Sequence, residues 1–107
     1  MAERAPTMII DGDVAKFSEL SKDADVLIDF WAPWCQPCKA VEAQLEILHK
    51  KYPYLAILRV NVDENAKFAN EYYVKNLPTL IWAKKGEVPQ AITGFHTADA
   101  IAKKIGI

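Results

Sequence analysis

Cys35 and Cys38 are the only two cysteines of this 107-residue chain, and two residues separate them. A pair at this spacing can exchange disulfides, because a thiolate attacks a disulfide sulfur and the neighbouring thiol then resolves the mixed disulfide. Cys35 stands where a helix is predicted to begin, and the unpaired N–H groups and positive dipole end there favour a thiolate. We therefore predict that Cys35 is the attacking thiol and that Cys38, more sheltered inside the helix, is the resolving thiol. Pro37 fits the first helical turn, where a missing N–H costs nothing.

Two other interpretations of the cysteine pair are weaker. Structural zinc usually requires four ligands, and the only histidines, His49 and His96, lie at a spacing that fits no zinc-finger pattern. We therefore expect no metal. A purely structural disulfide across so short a loop would contribute roughly 2 kcal/mol, and such disulfides are uncommon in the cytosol.

Asp29 is the single carboxylate in the apolar run that precedes the cysteines. Burial disfavours the charged form of a carboxyl group, so a raised pKa is expected if Asp29 is buried. Our hypothesis is that Asp29, directly or through a water molecule, takes the proton from Cys38 when Cys38 must attack. Position alone leaves a second interpretation equally open, in which Asp29 is a solvated or capping residue at a strand end.

Composition and charge exclude several classes of protein. Hydrophobic residues make up 51% of the chain and the formal net charge is −1, which indicates one compact domain over residues 1–107. The longest basic run has two residues, so neither nucleic acid nor an anionic membrane is an expected partner. Residues 1–6 contain no apolar signal region, and no apolar stretch approaches the roughly 18 residues of a membrane span. A cytoplasmic protein is therefore expected.

The predicted order of elements is β-α-β-α-β-α-β-β-α, which places the protein in the α/β class. Residues 26–30 show no apolar/polar alternation and are apolar except for Asp29, a pattern typical of a strand buried on both faces of a sheet. The alternation predicts parallel strands with helices on both faces, and a closing hairpin adds antiparallel strands. The other strands are predicted at residues 7–10, 55–62, 79–83 and 88–93. Pro89 cannot donate to a strand ladder, so the last strand is expected at an edge.

Helical spacing of apolar residues defines the inner face of each predicted helix. Asp11 or Asp13 is expected to cap the first helix and Thr97 the last. The predicted inner faces are Val14, Phe17 and Leu20; Val41, Leu45, Leu48 and Tyr52; Phe68, Ala69 and Tyr72; and Ala98, Ile101, Ala102 and Ile105.

Several segments together resemble the thioredoxin family. Residues 29–39 read D-F-W-A-P-W-C-Q-P-C-K and resemble the family's D-F-W-A-x-W-C-G-P-C-K, and residues 61–65 resemble its N-x-D-x-N. Residues 77–80, L-P-T-L, resemble its cis-proline motif, and Gly86 and Gly94 fall at its two later glycines. The similarity covers nearly the whole chain in the expected order.

The resemblance implies a thioredoxin fold, with a central five-stranded mixed β-sheet flanked by four α-helices. It also implies protein-disulfide reduction through a reversible Cys35–Cys38 disulfide, without a bound cofactor. Cys35 would be the nucleophile, Cys38 the resolving thiol and Asp29 the buried acid and base. The expected partners are oxidised protein substrates and a reductase that recharges the dithiol, and a monomer is expected.

The resemblance further assigns the substrate-binding surface. Pro78 would be cis, leaving the backbone of Leu77 to pair with an extended substrate segment. Trp34, Pro78 and Gly94 would form a flat apolar patch around Cys35. Gln36 and Pro37, between the cysteines, belong to the same surface, whereas Trp31 is assigned a structural role.

Three residues depart from the family pattern. Gln36 replaces a glycine between the cysteines, where the intervening pair tunes the reduction potential. Arg59 replaces the lysine near the buried aspartate, and because arginine stays charged, Asp29 is expected to be held ionised more than in the family. Ala43 replaces a helix-kinking proline, so the long helix is expected to be straighter.

Two alternative functions share these residues. The first is a thiol oxidant or isomerase of the same fold, which the lack of a signal region disfavours. The second is a binding subunit in which the apolar patch matters and the thiols are dispensable.

Overall fold

The computed structural model describes residues 9–107 and contains nine regular elements in the predicted order. Residues 7 and 8, the first half of the first predicted strand, lie outside the described residues. The elements are β1 (Ile9–Asp11), α1 (Val14–Ser21), β2 (Val26–Trp31), α2 (Gln36–Lys51), β3 (Ala56–Asn61), α3 (Ala66–Glu71), β4 (Thr79–Ala83), β5 (Gln90–Thr93) and α4 (Ala98–Ile105).

The five strands form one mixed sheet with the order β1-β3-β2-β4-β5. β1, β3 and β2 are parallel, β4 is antiparallel to β2, and β5 is antiparallel to β4. The predicted five-stranded mixed sheet with four helices is therefore confirmed. β2 lies at the centre, and residues 26–30 are all buried, as expected of a strand whose apolar run leaves no polar face.

Each face of the sheet has its own apolar core. Because successive side chains of a strand point to opposite faces, β2 contributes apolar side chains to both cores. On one face, Leu27 packs with the inner sides of α2 and α4, including Leu45, Leu48 and Ile101. On the other face, Ile28 and Phe30 pack with α3 and α1. Phe17, Phe30, Phe68 and Tyr72 form an aromatic cluster there, with ring centroids 5.5 to 6.3 Å apart.

Local capping fixes where several helices begin and end. The Asp13 carboxylate accepts the N–H of Lys16 at 3.1 Å, and the Thr97 hydroxyl accepts the N–H of Ala100 at 3.2 Å, as predicted for α1 and α4. Gly106 ends α4 in the left-handed conformation, with φ of 82°, which glycine adopts without steric cost.

β3 is one residue shorter at each end than the predicted strand 55–62, and the structure departs further from the sequence prediction at three places. The last strand was predicted from residue 88, but β5 begins at Gln90 because Pro89 has no N–H for the ladder. The predicted edge position of β5 is confirmed. Val14 and Tyr52, predicted on inner helix faces, are 48% and 36% exposed, because the first lies in the opening turn of α1 and the second follows the end of α2.

Within residues 9–107, no helix is both long and apolar enough to cross a membrane.

A matched pair of substitutions on α2 tests the core. Leu45 is fully buried whereas Ile47 is 46% exposed. We expect Leu45→Ala to lower the free energy of unfolding by about 2–5 kcal/mol, because it leaves a cavity between α2 and the sheet. Ile47→Ala is expected to change it by less than roughly 0.5 kcal/mol. Denaturant titration of both oxidised variants measures this, and equal losses would contradict the assigned face of α2.

Candidate active site

The junction between β2 and α2 positions the two cysteines. Cys35 is the N-cap of α2 in an extended conformation, and its sulfur accepts the backbone N–H of Cys38 at 3.2 Å. The two residues are joined by a disulfide, with their Cα atoms 5.4 Å apart. Pro37 lies in the first helical turn, as predicted. The sulfur of Cys35 therefore lies at the positive end of a 16-residue helix.

The two cysteines differ less in burial than the sequence suggested. Cys35 is 4% exposed and Cys38 is 2% exposed. Both belong to a small cluster with Ala32, against which Val62 and Leu77 pack. The structural difference between the two thiols is therefore their position, since Cys35 caps the helix and Cys38 lies within it.

The loop before β4 contacts the cysteine cluster through Leu77 and is bonded to the residue that follows β5. The Leu77–Pro78 peptide bond is cis, as the resemblance implied. Gly94 donates its N–H to the carbonyl oxygen of Pro78 at 3.0 Å. Gly94 has φ of 84°, a left-handed conformation that favours glycine at this turn. Leu77, Pro78 and Gly94 are thus brought together, with Leu77 in contact with the cysteine cluster.

Trp34 is the large exposed side chain of the site, with 67% of its surface accessible. Its indole N–H is shared between the two carboxylate oxygens of Asp63, at 3.2 and 3.1 Å. Gln36 and Pro37 are exposed beside it. The sequence analysis assigned no role to Asp63. The predicted parallel strands indicate only that the residues following β2 and β3 meet at one edge of the sheet; residue spacing does not give the pairing of Trp34 with Asp63.

Asp29 lies on the central strand and is 1% exposed, so the buried interpretation of this residue is the correct one. Neither carboxylate oxygen has a hydrogen-bond partner among residues 9–107. Burial raises the pKa of Asp29 from 3.8 to about 7, the positive charge of Arg59 opposes this, and the negative charges of Glu42 and Asp11 add to it. Asp29 can therefore gain or lose a proton near neutral pH.

Arg59 is the cross-strand neighbour of Asp29 on β3. Its Nε lies 4.0 Å from Asp29 Oδ2, whereas its terminal nitrogens bond to Asp11, at 2.9 Å, and to Glu42. The guanidinium carbon also lies 4.4 Å from the centroid of the Trp31 ring, consistent with the structural role assigned to Trp31. Arg59 lowers the pKa of Asp29, as expected, but desolvation prevails, so the arginine does not hold Asp29 firmly ionised.

Comparison with known proteins identifies the family. The family model described as Thioredoxin matches residues 9–106. The chain belongs to the thioredoxin family. It is 38% identical to the thioredoxin of Bacillus subtilis over 98 residues, which cover 91% of this chain and 94% of that protein. It is 40% identical to the thioredoxin of Chlorobaculum thiosulfatiphilum over 87 residues, 80% of this chain and 81% of that protein.

Solved thioredoxin structures share the whole architecture. A mutant thioredoxin of Halobacterium salinarum superposes with a TM-score of 0.80 at 30% identity, covering 97% of this chain and 93% of that one. Oxidised mitochondrial thioredoxin 3 of Saccharomyces cerevisiae gives a TM-score of 0.80 at 32% identity, covering 91% and 92%. The chain is accordingly a thiol–disulfide oxidoreductase, a thioredoxin-type protein-disulfide reductase with a redox-active Cys35–Cys38 pair.

The raised pKa of Asp29 predicts a specific dependence of stability on pH. The folded value is about 7 and the ordinary value is 3.8, so between these values the folded protein retains a proton that the unfolded chain has released. The stabilisation that this proton provides is complete below pH 3.8 and is lost as the pH rises through about 7. Oxidised Asp29→Asn should therefore gain stability relative to the wild type over this range, by on the order of 4 kcal/mol.

Denaturant titrations of both proteins across this pH range measure the difference. Asp23→Asn makes the same chemical change at an exposed loop position and should reproduce the wild-type profile. A stability difference between Asp29→Asn and the wild type that does not change with pH would show that Asp29 ionises at its ordinary pKa.

Proposed function

We propose that Cys35 performs the nucleophilic step of protein-disulfide reduction. The Cys35 thiolate attacks one sulfur of the substrate disulfide, forming a mixed disulfide while the other substrate sulfur leaves as a thiolate and gains a proton. The Cys38 thiolate then attacks the sulfur of Cys35, and the second substrate sulfur leaves. Two electrons and two protons pass to the substrate, and Cys35 and Cys38 become a disulfide.

The observation that carries this assignment is the position of Cys35 at the N-cap of α2. Its sulfur accepts the N–H of Cys38 at 3.2 Å, and a thiolate accepts this hydrogen bond more strongly than a thiol does. The helix dipole acts in the same direction. Both effects lower the proton affinity of Cys35 in the reduced protein, so it is the thiol expected to be ionised first.

Asp29 is the proposed proton acceptor for Cys38. A thiol buried among Ala32, Val62 and Leu77 is in apolar surroundings that disfavour its thiolate. It therefore needs a base when it attacks. Asp29 has a pKa of about 7, so near neutral pH it is present partly as a carboxylate that can take this proton and partly as an acid that can return one.

The surface around the disulfide is the proposed substrate-binding site. Trp34 supplies exposed aromatic area, and its bond to Asp63 holds the indole in one orientation. We expect an extended substrate segment to lie beside the disulfide and pair with the backbone of Leu77, as in other cases of strand addition. The remaining residues assigned to this surface are Gln36, Pro37, Pro78 and Gly94.

Oxidised proteins and a reductase are the proposed partners. Thioredoxins act with both kinds of partner. Electrons arrive and leave through disulfide exchange, so the proposed cycle uses no bound cofactor. We further propose that the protein works as a monomer in the cytoplasm, where a dithiol is kept reduced.

Serine substitutions test the two cysteine roles separately. With an oxidised protein substrate such as insulin and a chemical dithiol as electron donor, Cys35→Ser should lose all turnover and form no adduct. Cys38→Ser should also lose turnover but should accumulate a mixed disulfide through Cys35, because no resolving thiol remains. Non-reducing gels and intact mass measure the adduct.

The double variant Cys35→Ser/Cys38→Ser separates the reductase from a binding subunit. A reductase loses all turnover in this variant, whereas a subunit that works through the apolar patch would keep its biological activity.

The two single variants also test the order of attack. If Cys35→Ser forms an adduct through Cys38 as fast as Cys38→Ser forms one through Cys35, the assigned order of attack is contradicted.

A further inference from the structure

Arg59 is held by three side chains other than Asp29. One terminal nitrogen bonds to Asp11 of β1 and the other to Glu42 of α2, and the guanidinium carbon lies over the Trp31 ring. Charged hydrogen bonds of this kind are the stronger ones in proteins. The direction in which the guanidinium points is therefore set largely by Asp11, Glu42 and Trp31.

The same arrangement leaves a gap between Arg59 and Asp29. The closest pair, Arg59 Nε and Asp29 Oδ2, is 4.0 Å apart. Arg59 Nε and both Asp29 oxygens are buried and have no hydrogen-bond partner among residues 9–107. A permanent cation thus forms a long ion pair with a buried carboxyl but no hydrogen bond to it, although a bidentate pair is the geometry that arginine and carboxylate usually adopt.

The Arg59 side chain is partly accessible to solvent. It lines a groove of about 560 Å³ together with Asp11, Trp31, Asn61 and other residues, and 20% of its surface is accessible. Its carboxylate partners differ in exposure, since the side chain of Glu42 is 31% accessible and that of Asp11 is 72% accessible. Because solvent weakens an exposed ion pair, Glu42 is the stronger of the two anchors.

We infer that Glu42 and, more weakly, Asp11 are positioning residues that hold Arg59 away from Asp29 and so preserve the proton affinity of its carboxyl group. This inference rests on the proposed function, in which Asp29 is the proton acceptor for Cys38. Without the anchors, Arg59 would turn its terminal nitrogens toward Asp29 and hold it as a carboxylate. Asp29 would then be a weaker base at the pH where it must accept a proton.

The charged groups that affect Asp29 come from three elements. Arg59 of β3 lowers its pKa, and Glu42 of α2 and Asp11 of β1 raise it. Glu42 can therefore act in two ways, by its own negative charge on Asp29 and by holding Arg59. Removing Glu42 lowers the pKa of Asp29 in either case, so the experiment must be done with and without Arg59.

The titration of Asp29, followed by the carboxyl ¹³C resonance in labelled protein, measures the effect directly; Asp29→Asn identifies the signal. The wild-type midpoint is expected at about 7. Glu42→Gln should lower it by at least about one pH unit, the effect of an opposite charge brought within bonding distance. Asp11→Asn should lower it by less. Glu46→Gln, which removes the same charge one turn further along α2, should leave it unchanged.

The Arg59→Gln background decides between the two ways in which Glu42 can act. If Glu42 acts through Arg59, at least half of the shift caused by Glu42→Gln disappears when Arg59 is absent. If more than half of the shift persists, Glu42 acts by its own charge and the inference is overturned. The inference is also overturned if neither Glu42→Gln nor Asp11→Asn moves the midpoint of Asp29. Asp11 is at an exposed position that tolerates change.

The rate of substrate reduction separates this inference from the proposed role of Asp29. In the wild type and Glu42→Gln, the pH profile of the rate should follow the midpoint of Asp29, and the step at that midpoint should be absent in Asp29→Asn. If the midpoint of Asp29 moves while the rate profile stays in place, the positioning by Glu42 stands and the proton-acceptor role of Asp29 fails.

Discussion

Burial of the Asp29 carboxyl in the central strand is the constraint on which the site depends. A strand that is covered on both faces normally carries apolar residues throughout, and an ionised carboxylate there is unfavourable. The structure places Arg59 opposite it, 4.0 Å away, without a hydrogen bond between the two groups. The carboxyl consequently keeps a proton to about pH 7, and its ionisation above that pH costs stability. A sheet built only for stability would place an apolar residue at this position.

The same strand leads directly to the dithiol. β2 ends at Trp31, and four residues later Cys35 caps α2, so the core that fixes the strand also fixes the sulfur at the helix N-terminus. The two thiols then have opposite requirements. Cys35 needs a stabilised thiolate, which the helix end supplies, whereas Cys38 lies among apolar neighbours and needs a base. In the proposed cycle, the helix terminus stabilises the thiolate of Cys35, and the buried carboxyl of Asp29 accepts the proton of Cys38.

Features that depend on local sequence were predictable. The apolar run at residues 26–30, the helical spacing of Val41, Leu45 and Leu48, and the C-x-x-C pair gave the central strand, the inner face of α2 and the redox chemistry. Pairings between side chains that are distant in sequence were not predictable. The bond from Trp34 to Asp63 and the anchoring of Arg59 by Asp11 and Glu42 depend on the register of β1, β2 and β3 and on the rotation of α2, neither of which residue spacing determines.

The reduction potential of the Cys35–Cys38 pair tests the assignment as a reductase most directly, because Gln36 and Arg59 depart from the family pattern close to the site. Equilibration with thiol buffers of known potential, followed by quantification of the oxidised and reduced protein, gives the value. We expect about −270 mV, which is typical of thioredoxins and suits a reductase. A value near −120 mV, typical of a strong thiol oxidant, would show that the reduced form is unusually stable and would contradict the reductase assignment.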